Sequence, residues 1–300
     1  MKTGHDISLE QFTSYHIGGV AKDVHFPTNA DELAGILGAL SSENTPWFLI
    51  GGGSNLLIGD GYWDGAVVVT TAMDSITISS NHLTSGAGAT STKVAETARD
   101  HSLTGLEFLF RLPGTIGGAV SMNARFNMRS VSDCLVSIEA VHPDGSRAHF
   151  RREDIDFSYK HTGIISEGWI IAEATFVGDT GESAAIDGRM MEIERFRDEH
   201  NHFAQPSCGC IFKNEHAKNV QAGQLIDSLG LKGVRIGDAE VSVHHANFIV
   251  NRGNATAADV LALIEHIENT VREKTGISLE REVVLKGTFV PPSSPFTGNN

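Results

Sequence analysis

A mixed α/β (α+β) fold is predicted by three observations. Strand-like and helix-like segments alternate through the first part of the chain, the 32 glycines are clustered rather than scattered, and the character changes near residue 180 towards longer, charged helices. Val24–Phe26 reads as a strand stopped by Pro27, followed by a helix from about Thr28 with Leu33, Ile36, Leu37 and Leu40 at helical spacing. Trp47–Ile50 is a short apolar strand running straight into Gly51-Gly52-Gly53-Ser54-Asn55, and Ala66–Val69 is a β-branched strand. Val136–Val141 and Arg147–Phe150 flank Pro143-Asp144-Gly145, a turn signal that predicts a hairpin, and Trp169–Val177 is a further strand. Beyond 180, a helix is expected over Ser183 to about His200 with Met190, Ile193 and Phe196 on one side. A second runs from Ala258 to about Lys274, with Val260, Ile264, Ile267 and Val271 inward and Gly276 as its stop. Leu279–Leu285 reads as the last strand. The expected domains are 1–180, divided near 66, and 181–289, with 290–300 as a disordered tail.

Composition narrows the function. Forty per cent hydrophobic residues suffice to bury a core, and 37 acidic against 23 basic residues make a poor footprint for nucleic acid. No stretch approaches the ~18 apolar residues of a membrane span, and the opening MKTGHDISLEQ lacks the features of a signal peptide, so a cytoplasmic protein is expected. Three cysteines, Cys134, Cys208 and Cys210, form neither a disulfide framework nor a zinc-like cluster, and no metal is expected.

The glycine clusters carry the chemistry. Consecutive glycines at 51–53 let the backbone turn tightly and present amides to an anion, and Ser54 and Asn55 add side-chain donors. The spacing is neither a G-x-G-x-x-G fingerprint nor a phosphate loop ending in Gly-Lys, which weakens a Rossmann reading. In Pro113-Gly114-Thr115-Ile116-Gly117-Gly118, proline fixes one angle while the glycines free others. Two such loops suggest a pyrophosphate held between them, as in a nucleotide cofactor site.

Tyr15-His16-Ile17-Gly18-Gly19, GGGSNLL at 51–57, Gly105-Leu106-Glu107-Phe108, PGTIGGAVSMNA at 113–124 and Phe157-Ser158-Tyr159-Lys160 follow one another in order. Pro206-Ser207-Cys208-Gly209-Cys210-Ile211-Phe212-Lys213-Asn214, His245-Ala246-Asn247-Phe248-Ile249-Val250-Asn251 and Leu279-Glu280-Arg281-Glu282-Val283 continue the series. From about 12 to 287 this order resembles the UDP-N-acetylenolpyruvoylglucosamine reductase family, in its shorter subtype without an inserted substrate loop. The resemblance implies a vanillyl-alcohol-oxidase/PCMH-like FAD-binding fold of two subdomains plus a C-terminal α+β substrate domain. It also implies non-covalent FAD, NADPH as reductant, and reduction of UDP-N-acetylglucosamine enolpyruvate to UDP-N-acetylmuramate in peptidoglycan precursor synthesis, NADP+ being the acceptor in reverse.

By that resemblance the cofactor contacts are Gly51, Gly52, Gly53, Ser54, Asn55 and Leu56 in one loop, and Pro113, Gly114, Thr115, Gly117, Gly118 and Asn123 in the other. Cys210 stands where the family usually has a serine proton donor, and a thiol's reference pKa of ~8.5 makes it the better acid. Glu282 matches the catalytic glutamate. Glu280 is its rival, because residues two apart on a strand share a face. Lys160 replaces the arginine expected to polarise the substrate carboxylate, keeping the charge and losing the bidentate grip. Tyr159, Asn214 and His245 match substrate-facing positions. Arg125 and Met128 occupy usual glycine positions, and His200-Asn201-His202 replaces a Lys-Gln-Pro run. Two other readings stay open: a related FAD oxidoreductase on another small substrate, and a flavin-binding relative without catalysis, which the Lys160 departure favours.

Overall fold

The computed structural model describes residues 2–215 and 220–291. Contacts group the chain into two units, each assembled from separate stretches of sequence. The first holds the residues up to His5, Asp23–Gly52 and Gly65–Phe196. In it, helix α1 (Ala30–Ser42) starts where the Asn29 side chain accepts the Glu32 amide at 2.9 Å. Its stripe of Leu33, Ile36, Leu37 and Leu40 is buried with Ala66, Val68 and Met73. Trp63–Val69 pairs in parallel with Trp47–Ile50, Trp47 opposite Ala66 and Ile50 opposite Val69. Ala66–Val69 is wholly buried, which is why it reads as an unbroken apolar run instead of an alternating one.

A second, antiparallel sheet follows the order Arg147–Arg151, Leu135–Val141, Ile170–Val177, His82–Gly86, Ile76–Ser79. Its hairpin closes as expected, the Asp144 carboxylate accepting the Ser146 amide at 2.8 Å. Against this sheet lie α2 (Ser91–Asp100), capped by the Thr90 hydroxyl on the Lys93 amide, and the short α3 (Ile116–Ser121). A single turn, α4 (Gly163–Ser166), precedes the long α5 (Ser183–Glu199). On α5, Met190 and Ile193 are buried as expected, but Phe196 is 38% exposed, packed edge-on against Phe126.

The second unit comprises Asp6–Lys22, Gly53–Asp64 and the chain from Arg197 onward. Helices α6 (Ala222–Ser228) and α7 (Ala257–Thr275) share its core with Tyr15, Leu57, Ile211 and Phe212. A small antiparallel sheet runs Arg235–Ile236, Ala239–Val241, Ile249–Asn251. Helix α7 opens on a reciprocal cap between Thr256 and Asp259, its next two amides are taken by the Asp60 carboxylate, and it ends at Gly276 with φ +73°.

One expectation needs correction. The last strand is Val284–Lys286, parallel to Leu56–Ile58, and does not begin at Leu279. The amides of Glu282 and Val283 both turn to the single carbonyl of Ile211, so a regular ladder cannot run through them. The contact grouping passes from one unit to the other between Phe196 and Arg197 and assigns 6–22 and 53–64 to the second unit. Of the expected tail at 290–300, residues 292–300 lie outside the described residues. No described helix is long and apolar enough to cross a membrane.

Replacing Thr256 by Ala removes one half of the α7 cap and is expected to lower stability by about 1 kcal/mol. A urea midpoint that falls at constant slope checks this; an unchanged midpoint would mean that Asp60 alone carries the helix start.

Candidate active site

In the first unit, a cavity of about 410 Å³ is lined by Gly52, Gly88, Thr90, Lys93, Gly114 and Thr115, with Thr71, Asp74 and Ala89. The two glycine loops meet there. A Cβ on Gly52 would lie 2.6 Å from the Gly114 Cα, and one on Gly51 would lie 2.7 Å from the Thr115 hydroxyl oxygen. Only glycine permits that approach. The Thr115 hydroxyl is buried with no hydrogen-bond partner among the described residues, an unmet donor of the kind that ligands commonly satisfy. Bare backbone, this hydroxyl and the Lys93 ammonium suit an anionic group such as a diphosphate.

The other predicted cofactor residues divide. Gly118 faces open space at the start of α3, whereas a Cβ on Gly117 would meet Ala87 at 2.9 Å, so Gly117 serves packing. Pro113 is exposed beside Gly114. Gly53, Ser54, Asn55 and Leu56 belong to the second unit. There Gly53 lies against the Phe12 carbonyl, and Leu56 opens the strand paired with Val284. The Asn55 side chain donates to the Glu282 carbonyl at 3.1 Å. Asn123 bonds to two backbone segments, accepting from the Ser132 amide and donating to the Ser158 carbonyl, each at 3.1 Å.

Tyr159 and Lys160 form the two-residue tip of a hairpin in which Phe157 faces Thr162 and Ser158 faces His161. Lys160 has φ +57°, a strained conformation for a side chain of its size. Nearby in sequence, Arg125–Phe126 pairs with Arg129–Ser130 through a tip whose Asn127 and Met128 have φ +46° and +67°. Both tip residues of such a turn are left-handed, which explains the glycine usual at 128.

In the second unit, Cys210 and Glu282 are brought together. The Ile211 carbonyl accepts the amides of Glu282 (2.7 Å) and Val283 (3.3 Å). Cys210 pairs with Phe248, Phe212 with Arg281, and the buried Asn247 side chain holds both backbone groups of Phe212 at 3.0 and 2.8 Å. Glu280, the rival carboxylate, is turned to the surface in an ion pair with Lys213 at 2.7 Å. Cys210 is half-buried, whereas Cys208 is sealed against Tyr15. Burial pushes the Cys208 thiol up to about 12, the Tyr15 contact lowers it in part, and the charges of Cys210 and Glu282 raise it again. Cys208 is thus an inert packing residue. Burial, with the Cys208 thiol beside it, raises the Tyr15 pKa well above the usual phenol value.

His245 packs 4.4 Å from the Phe248 ring, next to Cys210's pairing partner, and its Nδ1 accepts the Asn247 amide, leaving the ring proton on Nε2. Burial lowers its pKa. Asn214 accepts the Ala222 amide at 2.9 Å and so starts α6. His202 stacks beside both His245 and Phe248.

The sequence reading missed Lys93 and the Gly86-Ala87-Gly88-Ala89-Thr90 run, a third loop of small residues before a helix. That pattern, with Thr90 as a cap and a cation three residues on, was the available signal.

Comparison with known proteins follows the same division. Residues 201–286 match the family model described as UDP-N-acetylenolpyruvoylglucosamine reductase, C-terminal domain, and residues 21–151 match an FAD binding domain. The chain is 35% identical to the UDP-N-acetylenolpyruvoylglucosamine reductase of Clostridium novyi, over 94% of this chain and 92% of that one. It is 37% identical to that of Levilactobacillus brevis, over 96% and 94%. Among solved structures, the UDP-N-acetylenolpyruvylglucosamine reductase of Thermus caldophilus superposes with a TM-score of 0.79 at 31% identity, covering 95% of this chain and 98% of that one.

One expectation concerns acid. Burial, with the nearby charges of Arg197, His245 and His200, lowers the His202 pKa from 6.5 to about 4. The unfolded chain therefore protonates first as pH falls, so the stabilisation is complete above pH 6.5 and is lost towards pH 4. His202→Gln is expected to flatten the fall in stability across that window, measured by urea unfolding at several pH values. Equal slopes in both proteins would assign the acid sensitivity elsewhere.

Proposed function

The chain belongs to the UDP-N-acetylenolpyruvoylglucosamine reductase family, and from that premise we propose how its residues divide the reaction. It is an FAD-dependent oxidoreductase that reduces UDP-N-acetylglucosamine enolpyruvate to UDP-N-acetylmuramate with NADPH, in peptidoglycan precursor synthesis. We place this activity in the cytoplasm. In the first unit, Gly52, Gly114 and Thr115, with Gly51 beside Thr115, would hold FAD, and Lys93 would supply a cation for its diphosphate. When bound, FAD supplies the hydride chemistry.

The residues of this chain handle the charge and the proton. Hydride addition to the terminal vinyl carbon leaves negative charge on the neighbouring carbon and its carboxylate. Lys160 counters that charge with its ammonium. Cys210 donates the proton that completes the reduction, as a thiol held half-exposed on a rigid segment. Glu282, whose amide is fixed to the same segment through the Ile211 carbonyl, is the second catalytic residue of that segment. Tyr159, Asn214 and His245 contact the nucleotide sugar, His245 as a neutral donor through Nε2.

The observation that carries this reading is the clamp that joins Cys210 to Glu282 while turning Glu280 outward to Lys213. Cys210→Ala is expected to slow reoxidation of the reduced enzyme by the enolpyruvyl substrate ~10²–10⁴-fold, with reduction by NADPH nearly intact, in stopped-flow measurements. Cys210→Ser keeps substantial activity. Equal losses in both half-reactions would assign Cys210 to folding or cofactor binding instead. In the same assay Glu282→Gln is expected to impair turnover and Glu280→Gln to leave it unchanged; the reverse pattern would transfer the catalytic role to Glu280.

A further inference from the structure

We propose that Asn123 is a positioning residue for the Lys160 turn, holding that turn through its side-chain amide, rather than a ligand of the cofactor. The proposal rests on the reading of Lys160 given above. Asn123 lies just beyond α3 with φ +40°, a left-handed conformation that asparagine tolerates better than most residues. Its Oδ1 accepts the Ser132 amide and its Nδ2 donates to the Ser158 carbonyl, each at 3.1 Å. Ser158 is the residue immediately before the Tyr159-Lys160 tip. One amide thus ties the catalytic turn to a backbone segment elsewhere in the same unit.

The turn needs outside support. Its hairpin has only two residue pairs, too few to be stable alone, and Lys160 is held at an unfavourable φ of +57°. On the far strand, the Thr162 hydroxyl donates to the Val120 carbonyl at 2.6 Å. Val120 and Asn123 therefore grip the hairpin on both sides of its tip, from the end of the helix whose first residues follow the cavity loop. Only asparagine supplies a donor, an acceptor and tolerance of positive φ together. Aspartate keeps the acceptor and sets a negative charge against the Ser158 carbonyl, while glycine keeps the backbone freedom and loses both bonds.

The test uses the FAD-loaded enzyme with Asn123→Gly, Asn123→Asp, Lys160→Met and the double variant Asn123→Gly/Lys160→Met. FAD affinity is measured by titration, and reoxidation by the enolpyruvyl substrate by stopped flow. Both Asn123 variants are expected to bind FAD as the wild type does and to reoxidise up to about 10²-fold more slowly. The double variant is expected to be no slower than Lys160→Met, because Asn123 acts through Lys160; a merely structural role would add its own loss. Weakened FAD binding with unchanged reoxidation of the bound flavin would make Asn123 a cofactor ligand and overturn the proposal. A slow Lys160→Met beside wild-type Asn123 variants would overturn it alone. A Lys160→Met enzyme at the wild-type rate would remove the Lys160 reading, and the proposal with it.

Discussion

A single peptide carbonyl organises the second unit. Ile211 receives the amides of both Glu282 and Val283, and it sits between Cys210 and Phe212. Two residues far apart in sequence are thereby fixed to adjacent backbone, with no side chain of either spent on the join. The Asn247 amide locks Phe212 from the other side, and Asn55 reaches the Glu282 carbonyl. These bonds join both backbone groups of Phe212 and the carbonyls of Ile211 and Glu282 into one network, the kind that specifies a single arrangement. The join between the Cys210 and Glu282 segments is made by backbone groups.

The same clamp separates what sequence reveals from what it conceals. Helices α1, α5 and α7 were legible because their apolar residues recur at helical spacing, and Gly276 marks the end of α7, whereas α2 behind Thr90 was not foreseen. The glycine loops were legible because so many glycines together signal close backbone approach, which Gly51, Gly52 and Gly53 show. The segment from Leu279 was read as a strand on its apolar and β-branched content, and composition cannot show that two successive amides share one acceptor. Glu280 and Glu282 were separable only by the family pattern, since period two would place them alike; the Lys213 ion pair separates them physically. Lys93 escaped notice because its relation to the glycine loops exists only once α2 is packed.

The departures from the family pattern have different physical weights. Met128 bears a cost in conformation, being 84% exposed at φ +67°, yet it lies at a hairpin tip where little else depends on it. Lys160 carries a similar φ at the tip of a hairpin whose two strands are tied to Asn123 and Val120. In place of a Lys-Gln-Pro run, this chain sets His202 against Phe248 and His245, where burial lowers the pKa of both imidazoles.

The pairing of Leu56–Ile58 with Val284–Lys286 sets a timetable for folding. On the ribosome, the earlier strand emerges long before its partner, and Asn55 waits equally long for Glu282. The second unit cannot finish its core until almost the whole chain has left the exit tunnel, whereas the core around α1 is complete once Ala172 has emerged. Contacts of such wide sequence separation slow the search for the native state and leave an apolar strand uncovered meanwhile. Premature termination near the C-terminus would therefore cost more than the few residues removed: it would leave Leu56–Ile58 as an open edge and the clamp on Cys210 unclosed.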